Sequence, residues 1–285
     1  MTGSPLAHPG ATRALLEAYG LATKHSLGQN FLVSNHVIEK IMGLAELGRE
    51  DCVLEVGPGI GTLTLALLAG AGRVVSVEMD RELEPVLSAH AAAHPNFSFI
   101  MGDALRVTPG EIAEAAGGEP DVLVANLPYN VAATVILRYL QEVPSLRRLV
   151  VMVQAEVADR ICAASGSRTY GAYTAKLALL AQVTGRFEVG PGNFMPPPHV
   201  DSAVVRIDRA PLVDAARATE VSAVIDAAFA QRRKTIRNSM SASGFDKAAL
   251  DAAFAACGIA PTRRAETLAP EDFVLLASAL SRRQE

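Results

Sequence analysis

The sequence has few cysteines, no long hydrophobic run and no excess of basic residues. Cys52, Cys162 and Cys257 are far apart and form no CxxC pair, which favours reduced thiols in a cytosolic protein over a disulfide framework. No apolar stretch approaches the roughly 20 residues that cross a bilayer, and the N-terminus has no signal-peptide core. We therefore expect a cytoplasmic protein with no membrane partner.

Two further absences narrow the function. The histidines are scattered without the spacing of metal ligands, so we expect no metal site. A formal net charge of −4 is weak evidence against nucleic-acid binding, although a local basic patch matters more than the sum. The length of 285 residues fits one large domain or two modest ones.

Short apolar strands alternate with helical patterns between "CVLEVG" and "SAVVRIDR". This alternation predicts an α/β fold with a mostly parallel sheet and helices on both faces. After about Arg209 only helical patterns remain: 219–240, 247–257, 262–265 and 270–281. We predict three parts: a flexible extension at 1–23 with a short helix at 12–19 and a disordered start, an α/β domain at 24–209, and a helical domain at 210–285.

A glycine-rich turn, "LEVGPGIG", follows the first strand of the alternation and precedes a helix. Gly57, Gly59 and Gly61 permit a tight turn and a close approach of the backbone to a ligand, and Glu55 lies just before them. Such a turn can hold a dinucleotide or S-adenosylmethionine, or only reverse the chain. The spacing is GxGxG and not the GxGxxG of dinucleotide-binding folds, which disfavours a dinucleotide as the ligand.

Two carboxylates end the next two strands. Glu78 could accept hydrogen bonds from both hydroxyls of a ribose, and Asp103 could accept from an adenine amino group. Either could instead cap the helix that follows it. Their shared position at the carboxyl edge of the predicted sheet favours ligand binding.

The fourth strand ends in "NLPYN". Pro128 cannot continue a central strand, so the turn presents the Asn126 amide and the Leu127 carbonyl as two acceptors for one exocyclic amine. Tyr129 could stack on the base that carries this amine. An adenine N6 amine is a poor nucleophile, so this site would act by positioning. The alternative is an Asn-capped turn with a core tyrosine.

A basic cluster lies in "AQRRKTIRNSM", which contains no acidic residue. Arg232, Arg233, Lys234 and Arg237 are candidates for RNA binding, and Arg233 and Arg237 share a face if the segment is one helix. A solvated helix face is the simpler alternative.

These motifs occur in the order "KHSLGQNFL", "LEVGPGIGTLT", "VEMD", "GDAL", "NLPYN", "NFMPPPHVDSAVVRI" and "QRRKTIRNSM". Together they resemble the ribosomal RNA adenine N6,N6-dimethyltransferases, most closely the bacterial 16S rRNA members. The resemblance implies a class I methyltransferase fold, S-adenosylmethionine as cofactor, and dimethylation of two adjacent adenosines in the hairpin loop near the 3′ end of 16S rRNA in the small ribosomal subunit or its precursor.

The resemblance also implies roles for individual residues. Asn30, Leu32 and Ala104 join Glu55, the glycines, Glu78, Asp103 and Asn126 in the predicted cofactor pocket. Phe194 is similar to a family aromatic that packs on the target base opposite Tyr129. We expect a monomer, since nothing in the sequence indicates an interface.

Three alternatives remain at this point: a 23S rRNA adenine methyltransferase of the antibiotic-resistance type, an assembly factor that binds the pre-small subunit with secondary catalysis, and a nicotinamide oxidoreductase. The "RRKTIRNSM" and "MPPPHVDSAVV" segments favour the 16S enzyme over the first. Intact Asn126, Pro128 and Tyr129 argue against the second. The glycine spacing, with no Tyr-x-x-x-Lys pattern, disfavours the third.

Overall fold

A computed structural model describes residues 3–23 and 29–281. Its internal contacts divide the chain into two units, residues 1–158 with 183–209, and residues 159–182 with 210–285. The predicted boundary at 209/210 coincides with one border between the units. Residues 159–182, which the prediction places in the α/β domain, belong to the second unit instead. No helix in the described residues is long and apolar enough to cross a membrane.

The first unit is built around a sheet whose strands match the predicted alternation. The strands of the chain are β1 (Phe31–Leu32), β2 (Cys52–Val56), β3 (Arg73–Glu78), β4 (Phe97–Met101), β5 (Val122–Asn126), β6 (Arg148–Gln154), β7 (Ala181–Val189), β8 (Phe194–Met195) and β9 (Ser202–Arg209). Seven of them form one sheet in the order β4-β3-β2-β5-β6-β9-β7, while β1 and β8 form a separate antiparallel pair. Strands β2 to β6 are parallel and β9 runs antiparallel to β6, which confirms the mostly parallel sheet.

The order of the strands positions a ligand crevice. The central strands β2 and β5 are neighbours, and the chain runs outward from β2 through β3 to β4 and from β5 to β6. Both central strands are apolar and buried along nearly their whole length, as expected for strands covered on both faces. Ligands in open α/β sheets bind at the carboxyl ends of the strands beside such a reversal.

Helices lie before, between and after the strands. They are α1 (Pro9–Ala18), α2 (Asn35–Ala45), α3 (Thr62–Gly70), α4 (Glu84–Ala93), α5 (Pro109–Ala116), α6 (Ala132–Glu142), α7 (Ala155–Ile161), α8 (Ala172–Ala178), α9 (Ala215–Phe229), α10 (Ile236–Ala242), α11 (Lys247–Cys257) and α12 (Pro270–Ser281). Local signals fix several ends: Thr108 and Glu111 form a capping box at α5, and Gly258 ends α11 in the left-handed conformation.

The prediction of a disordered start is wrong for residues 3–10. Leu6 and Ala7 are buried, the Ser4 amide donates to Asn35 Oδ1 at 2.7 Å, and α1 begins at Pro9. Proline is favoured in the first turn of a helix. It has no backbone N–H, and an N–H at this position would have no hydrogen-bond partner within the helix. Leu16 of α1 then packs in a small apolar cluster with Phe31, Ile60, Leu83 and Val86.

In the second unit the predicted helix at 219–240 is interrupted. Helix α9 ends at Phe229, a turn follows, and Thr235 caps α10 by accepting from the Asn238 amide. Helix α8 is short, because it ends at Ala178 and β7 begins at Ala181. The predicted helical turn near 262–265 is a single 3₁₀ turn at Ala265–Thr267.

Candidate active site

A cavity of about 320 Å³ opens at the carboxyl ends of β2, β3, β4 and β5. Most of the predicted cofactor residues line it: Asn30, Leu32, Glu55, Gly57, Gly59, Glu78, Asp103, Ala104 and Asn126. Leu127, Pro128 and Tyr129 line the same cavity, whereas Gly61 and Phe194 are not among its lining residues. Residues that are distant in sequence and were grouped by motif alone thus surround one space.

The glycine-rich turn has the conformation that its glycines permit. Gly57, Gly59 and Gly61 have φ values of 71°, 59° and 87°, a region that residues with a Cβ rarely adopt. A Cβ on Gly59 would lie 3.0 Å from the Phe31 ring, and one on Gly61 would lie 2.7 Å from His90 Nε2. Gly57 and Gly59 line the cavity with backbone and no side chain. Gly61 leaves the space that the His90 ring occupies.

His90 was not recognised from the sequence, yet it holds this turn. Its Nε2 lies 3.0 Å from the Ile60 carbonyl oxygen, between Gly59 and Gly61. His90 belongs to α4, so the helix that follows Glu78 also supports the glycine-rich turn. Contacts between residues this far apart in sequence leave no local signal.

Glu78 is buried at the end of β3 and connects two loops. Its carboxylate accepts from the Gly59 amide at 3.1 Å and from the Asp80 amide at 2.8 Å. Burial raises the pKa of Glu78, and these hydrogen bonds partly offset that rise. Glu78 does not cap the following helical turn, because the Asp80 side chain does so by accepting from the Glu82 amide.

Glu55 lines the cavity but is bound mainly within the protein. Its Oε2 accepts from Thr64 Oγ1 at 2.7 Å and from Ser76 Oγ at 2.8 Å. Burial raises the pKa of Glu55 to about 7, with hydrogen bonds from Thr64 and Ser76 opposing the rise and nearby Glu78 adding to it. This carboxyl group is therefore divided between its neutral and charged forms near neutral pH.

Asp103 lies two residues beyond β4 and stabilises a turn. Its Oδ1 accepts from the Leu105 amide at 2.8 Å, and its Oδ2 lies 3.7 Å from Arg106 Nε. The N-cap of α5 is Thr108 and not Asp103. The helix-cap alternative for Asp103 is therefore not observed, and its carboxylate remains at the cavity wall.

The Asn126–Tyr129 segment leaves β5 as predicted. Asn126 Nδ2 donates to the Asn30 carbonyl at 3.3 Å, and the Leu127 amide donates to the Met152 carbonyl. The Pro128 carbonyl accepts from the amides of Val131 and Ala132, where α6 begins. Within 29–281, the hydrogen bonds include none that ends on Asn126 Oδ1 or on the Leu127 carbonyl oxygen. Two acceptors on adjacent residues thus border the cavity.

Tyr129 and Phe194 differ in exposure. The Tyr129 hydroxyl lies 2.7 Å from Ser202 Oγ, and burial raises its pKa. Phe194 pairs with Leu32 across the β1–β8 ribbon and is only 3% exposed within the main core. The expectation that Phe194 stacks on a base does not fit this conformation, because packing against core residues covers its ring.

The cavity also has features suited to a polar cofactor. Thr62 Oγ1, at the start of α3, is buried at the cavity wall and has no hydrogen-bond partner in the described residues. A buried hydroxyl of this kind requires a polar partner. Exposed Met79 offers an apolar surface directly after Glu78. Acidic, hydroxyl and apolar groups in one crevice fit a ligand with a ribose, a charged end and an aromatic base, as in S-adenosylmethionine. Thr62 and Met79 carry no motif of their own.

The predicted RNA-binding residues lie in the second unit and do not share one helix face. Arg232, Arg233 and Lys234 are exposed in the turn between α9 and α10. Arg237 lies in α10 and donates from Nε and Nη2 to both carboxylate oxygens of Asp251. The prediction that Arg233 and Arg237 share a helix face is therefore wrong, because Arg233 lies outside α10. Arg237 forms an ion pair with Asp251.

Comparison with known proteins gives consistent matches over most of the chain. The family model of the ribosomal RNA adenine dimethylases matches residues 20–282. The ribosomal RNA small subunit methyltransferase A of Rhodococcus opacus is 45% identical, with 95% of this chain and 93% of that protein aligned. The protein of the same name from Streptomyces avermitilis is 43% identical over 94% of this chain and 92% of its own length.

Solved structures share the fold. A dimethyladenosine transferase from Plasmodium falciparum superposes with a TM-score of 0.76 at 23% identity, covering 89% of this chain and 98% of its own. The 23S rRNA methyltransferase ErmE superposes with a TM-score of 0.67 at 26% identity, covering 88% of this chain and all of its own.

Proposed function

Because the chain belongs to the ribosomal RNA adenine dimethylase family, we propose that it dimethylates N6 of two adjacent adenosines in the hairpin loop near the 3′ end of 16S rRNA. S-adenosylmethionine is the methyl donor that this family implies. The names of the relatives at 43–45% identity support the small ribosomal subunit or its precursor as the substrate. The product is N6,N6-dimethyladenosine.

S-adenosylmethionine supplies an electrophilic methyl group when it is bound. We assign its ribose hydroxyls to Glu78, whose carboxylate is already fixed by the Gly59 and Asp80 amides. Asp103 suits the adenine amino group, and the backbone at Gly57 and Gly59 permits close approach. The unpartnered Thr62 hydroxyl favours a polar ligand over an apolar one.

The Asn126–Tyr129 segment is the observation that carries the proposal. Because the Asn126 amide nitrogen donates to the Asn30 carbonyl, the amide oxygen is the group that remains for a substrate amine. With the Leu127 carbonyl it can accept both hydrogens of an adenine N6 amine. This arrangement orients the nitrogen lone pair and lowers the barrier by positioning, without a strong general base.

Tyr129 is the residue to which we assign the target base. An adenine in an RNA loop must leave its stack to reach a pocket, and an aromatic face contributes roughly 1–3 kcal/mol per base toward that cost. The hydrogen bond between Tyr129 and Ser202 fixes the position of the ring. Phe194 is covered in this structure, so we assign it support of the β1–β8 ribbon that carries Leu32.

For RNA binding we propose the exposed cations of the second unit, Arg233 and Lys234, with Arg232 beside them. All residues proposed for the two substrates come from a single chain, so we propose that a monomer is active. Because the substrate is a ribosomal subunit, we assign its action to the cytoplasm.

A 23S rRNA methyltransferase is the second candidate, favoured by the similarity to ErmE. The relatives named for the small subunit are more similar in sequence and cover nearly the whole chain, which favours the 16S substrate. An assembly factor with secondary catalysis is the third, and the intact Asn126–Tyr129 segment beside the cavity argues against it.

The test is methyl transfer from labelled S-adenosylmethionine to under-methylated small subunits, with naked 23S rRNA as competitor, followed by nucleoside analysis. We expect dimethyladenosine in 16S rRNA alone. Label in 23S rRNA would support the resistance-type enzyme. Tight binding to subunits without any label would leave the assembly factor.

A further inference from the structure

A loop that precedes α8, residues 166–170, is held in place by distant parts of the second unit. The Gly166 amide donates to the Glu266 carbonyl at 2.6 Å. At the other end, Arg232 Nη2 donates to the carbonyls of Arg168 and Tyr170. The Tyr170 side chain is buried and packs against Phe229, with ring centroids 6.0 Å apart. The loop is therefore a fixed structure and not an excursion into solvent.

Between these anchors the loop exposes a cation and a hydroxyl, Arg168 and Thr169. The segment 164–171, "ASGSRTYG", contains no acidic residue. The turn at 231–234 exposes Arg233 and Lys234, and it too contains no acidic residue. Across 29–281, the ion pairs include none for Arg168, Arg233 or Lys234. In contrast, Arg237 is neutralised by Asp251.

We propose that loops 166–170 and 231–234 form one surface that binds the RNA backbone, with Arg168, Arg233 and Lys234 on phosphates and Arg232 as a positioning residue. This inference rests on the proposed RNA substrate and adds a segment that no motif indicated. Guanidinium, ammonium and hydroxyl groups are the donors that proteins direct at phosphate oxygens. Arg232 is engaged by two carbonyls of the first loop, so its main effect is to hold that loop against the second.

The experiment measures the affinity of the full chain for under-methylated small subunits over a salt series, without cofactor. Arg168→Gln should weaken binding about five- to eightfold at 0.1 M salt and lower the salt slope by about one contact, since each phosphate contact contributes roughly 0.7–0.9 to that slope. Lys247→Gln is the matched control, because it removes one exposed charge from the first turn of α11, outside both loops. An Arg168→Gln result equal to that of Lys247→Gln would overturn the proposal.

The positioning role of Arg232 needs a different readout. Arg232→Lys keeps the charge but replaces the rigid planar guanidinium, whose Nη2 donates to both carbonyls, with a compact ammonium on a flexible stem. We expect it to weaken binding and to speed amide hydrogen exchange in residues 166–170. We also expect Arg168→Gln to have little further effect in the Arg232→Lys background, while its effect in an Arg233→Gln background should be additive. Wild-type binding by Arg232→Lys would overturn this role.

The test of the RNA-binding surface is independent of the test of the proposed methyl transfer. Nucleoside analysis of the wild-type reaction tests the chemistry, and the salt series tests the surface. Dimethyladenosine in 16S rRNA with unchanged binding by Arg168→Gln would refute the surface alone. A normal loss of binding by Arg168→Gln without any methylation would refute the enzyme assignment and leave the surface.

Discussion

At the scale of single residues, Asn126 joins a fixed amide nitrogen to an amide oxygen that borders the cavity. The nitrogen donates to Asn30, the residue directly before β1. The strand β5 supplies the position, Pro128 ends the strand, and Asn30 sets the direction of the amide. A side chain oriented from both sides can present its oxygen to an amine with little loss of conformational entropy on binding.

Replacing Asn126 with alanine should lower the rate of methyl transfer by about 10²–10³-fold, the usual effect of removing one positioned hydrogen-bonding group. Cofactor affinity, measured by calorimetry, should change much less, because Glu78 and the glycine-rich turn are intact. Glu78→Ala is the complementary control and should weaken cofactor binding. Full activity of Asn126→Ala would sink the proposed acceptor role.

Glu55 gives a prediction about pH. Its pKa is raised to about 7 by burial, so the folded protein binds a proton there that the unfolded chain releases near pH 4.5. Between about pH 4.5 and pH 7 the folded state holds this proton and the unfolded state does not. The free energy of unfolding should therefore fall as pH rises from about 4.5 to 7. Glu55→Gln is neutral throughout and should lack this loss.

The measurement is urea unfolding of both proteins at pH 5 and pH 8 without cofactor. On going from pH 5 to pH 8, the wild type should lose stability relative to Glu55→Gln by an amount on the order of 3 kcal/mol. Identical pH dependence in the two proteins would show that Glu55 does not titrate in this range.

At the scale of elements, the glycine-rich turn and α4 support each other. His90 of α4 bonds the Ile60 carbonyl, and the adjacent Gly61 has a φ of 87°. Gly61→Ala should destabilise the protein by roughly 1–3 kcal/mol through backbone strain and a clash with His90. Removing the ring in a Gly61→Ala/His90→Ala double variant should relieve the clash, so the two effects should be less than additive.

A matched control comes from α2. Gly43 is exposed in the last turn of this helix, and a Cβ there would meet nothing within 4 Å. Gly43→Ala should raise stability by about 0.5–1 kcal/mol. Strict additivity in the Gly61/His90 pair, measured by urea unfolding, would show that the ring does not crowd the turn.

Some helices and strands could be predicted from the sequence and others could not. The strands β2 and β5 were predictable because each is a short apolar run ended by glycine or proline. The break between α9 and α10 was not, since apolar and basic residues continue through it at helical spacing. Thr235 before Ile236 is the N-cap signal that marks the restart. The β1–β8 pair joins residues far apart in sequence, so only the folded chain reveals why Leu32 and Phe194 belong together.

At the scale of the whole molecule, an acidic chain with a net charge of −4 is proposed to bind a polyanion. The Debye length is about 8 Å at physiological salt, so acidic groups farther away are largely screened and the local arrangement of charge decides. The exposed turn at 231–234 is such an arrangement. Arg237 resembles it in sequence but is paired with Asp251, and the two kinds of arginine should behave differently.

Neutralising Arg232, Arg233 and Lys234 together should weaken subunit binding strongly and flatten its dependence on salt. Arg233 and Lys234 would no longer release counterions from phosphates, and the loop at 166–170 would lose the hydrogen bonds from Arg232. Adding Arg237→Gln to this triple variant should change the salt slope little, since Asp251 already offsets the Arg237 charge. The affinity is measured from 50 to about 200 mM salt, a range over which such contacts change binding most visibly. A slope that stays at the wild-type value in the triple variant would return these residues to an ordinary solvated surface. A further large drop on adding Arg237→Gln would mean that RNA displaces Asp251 from Arg237.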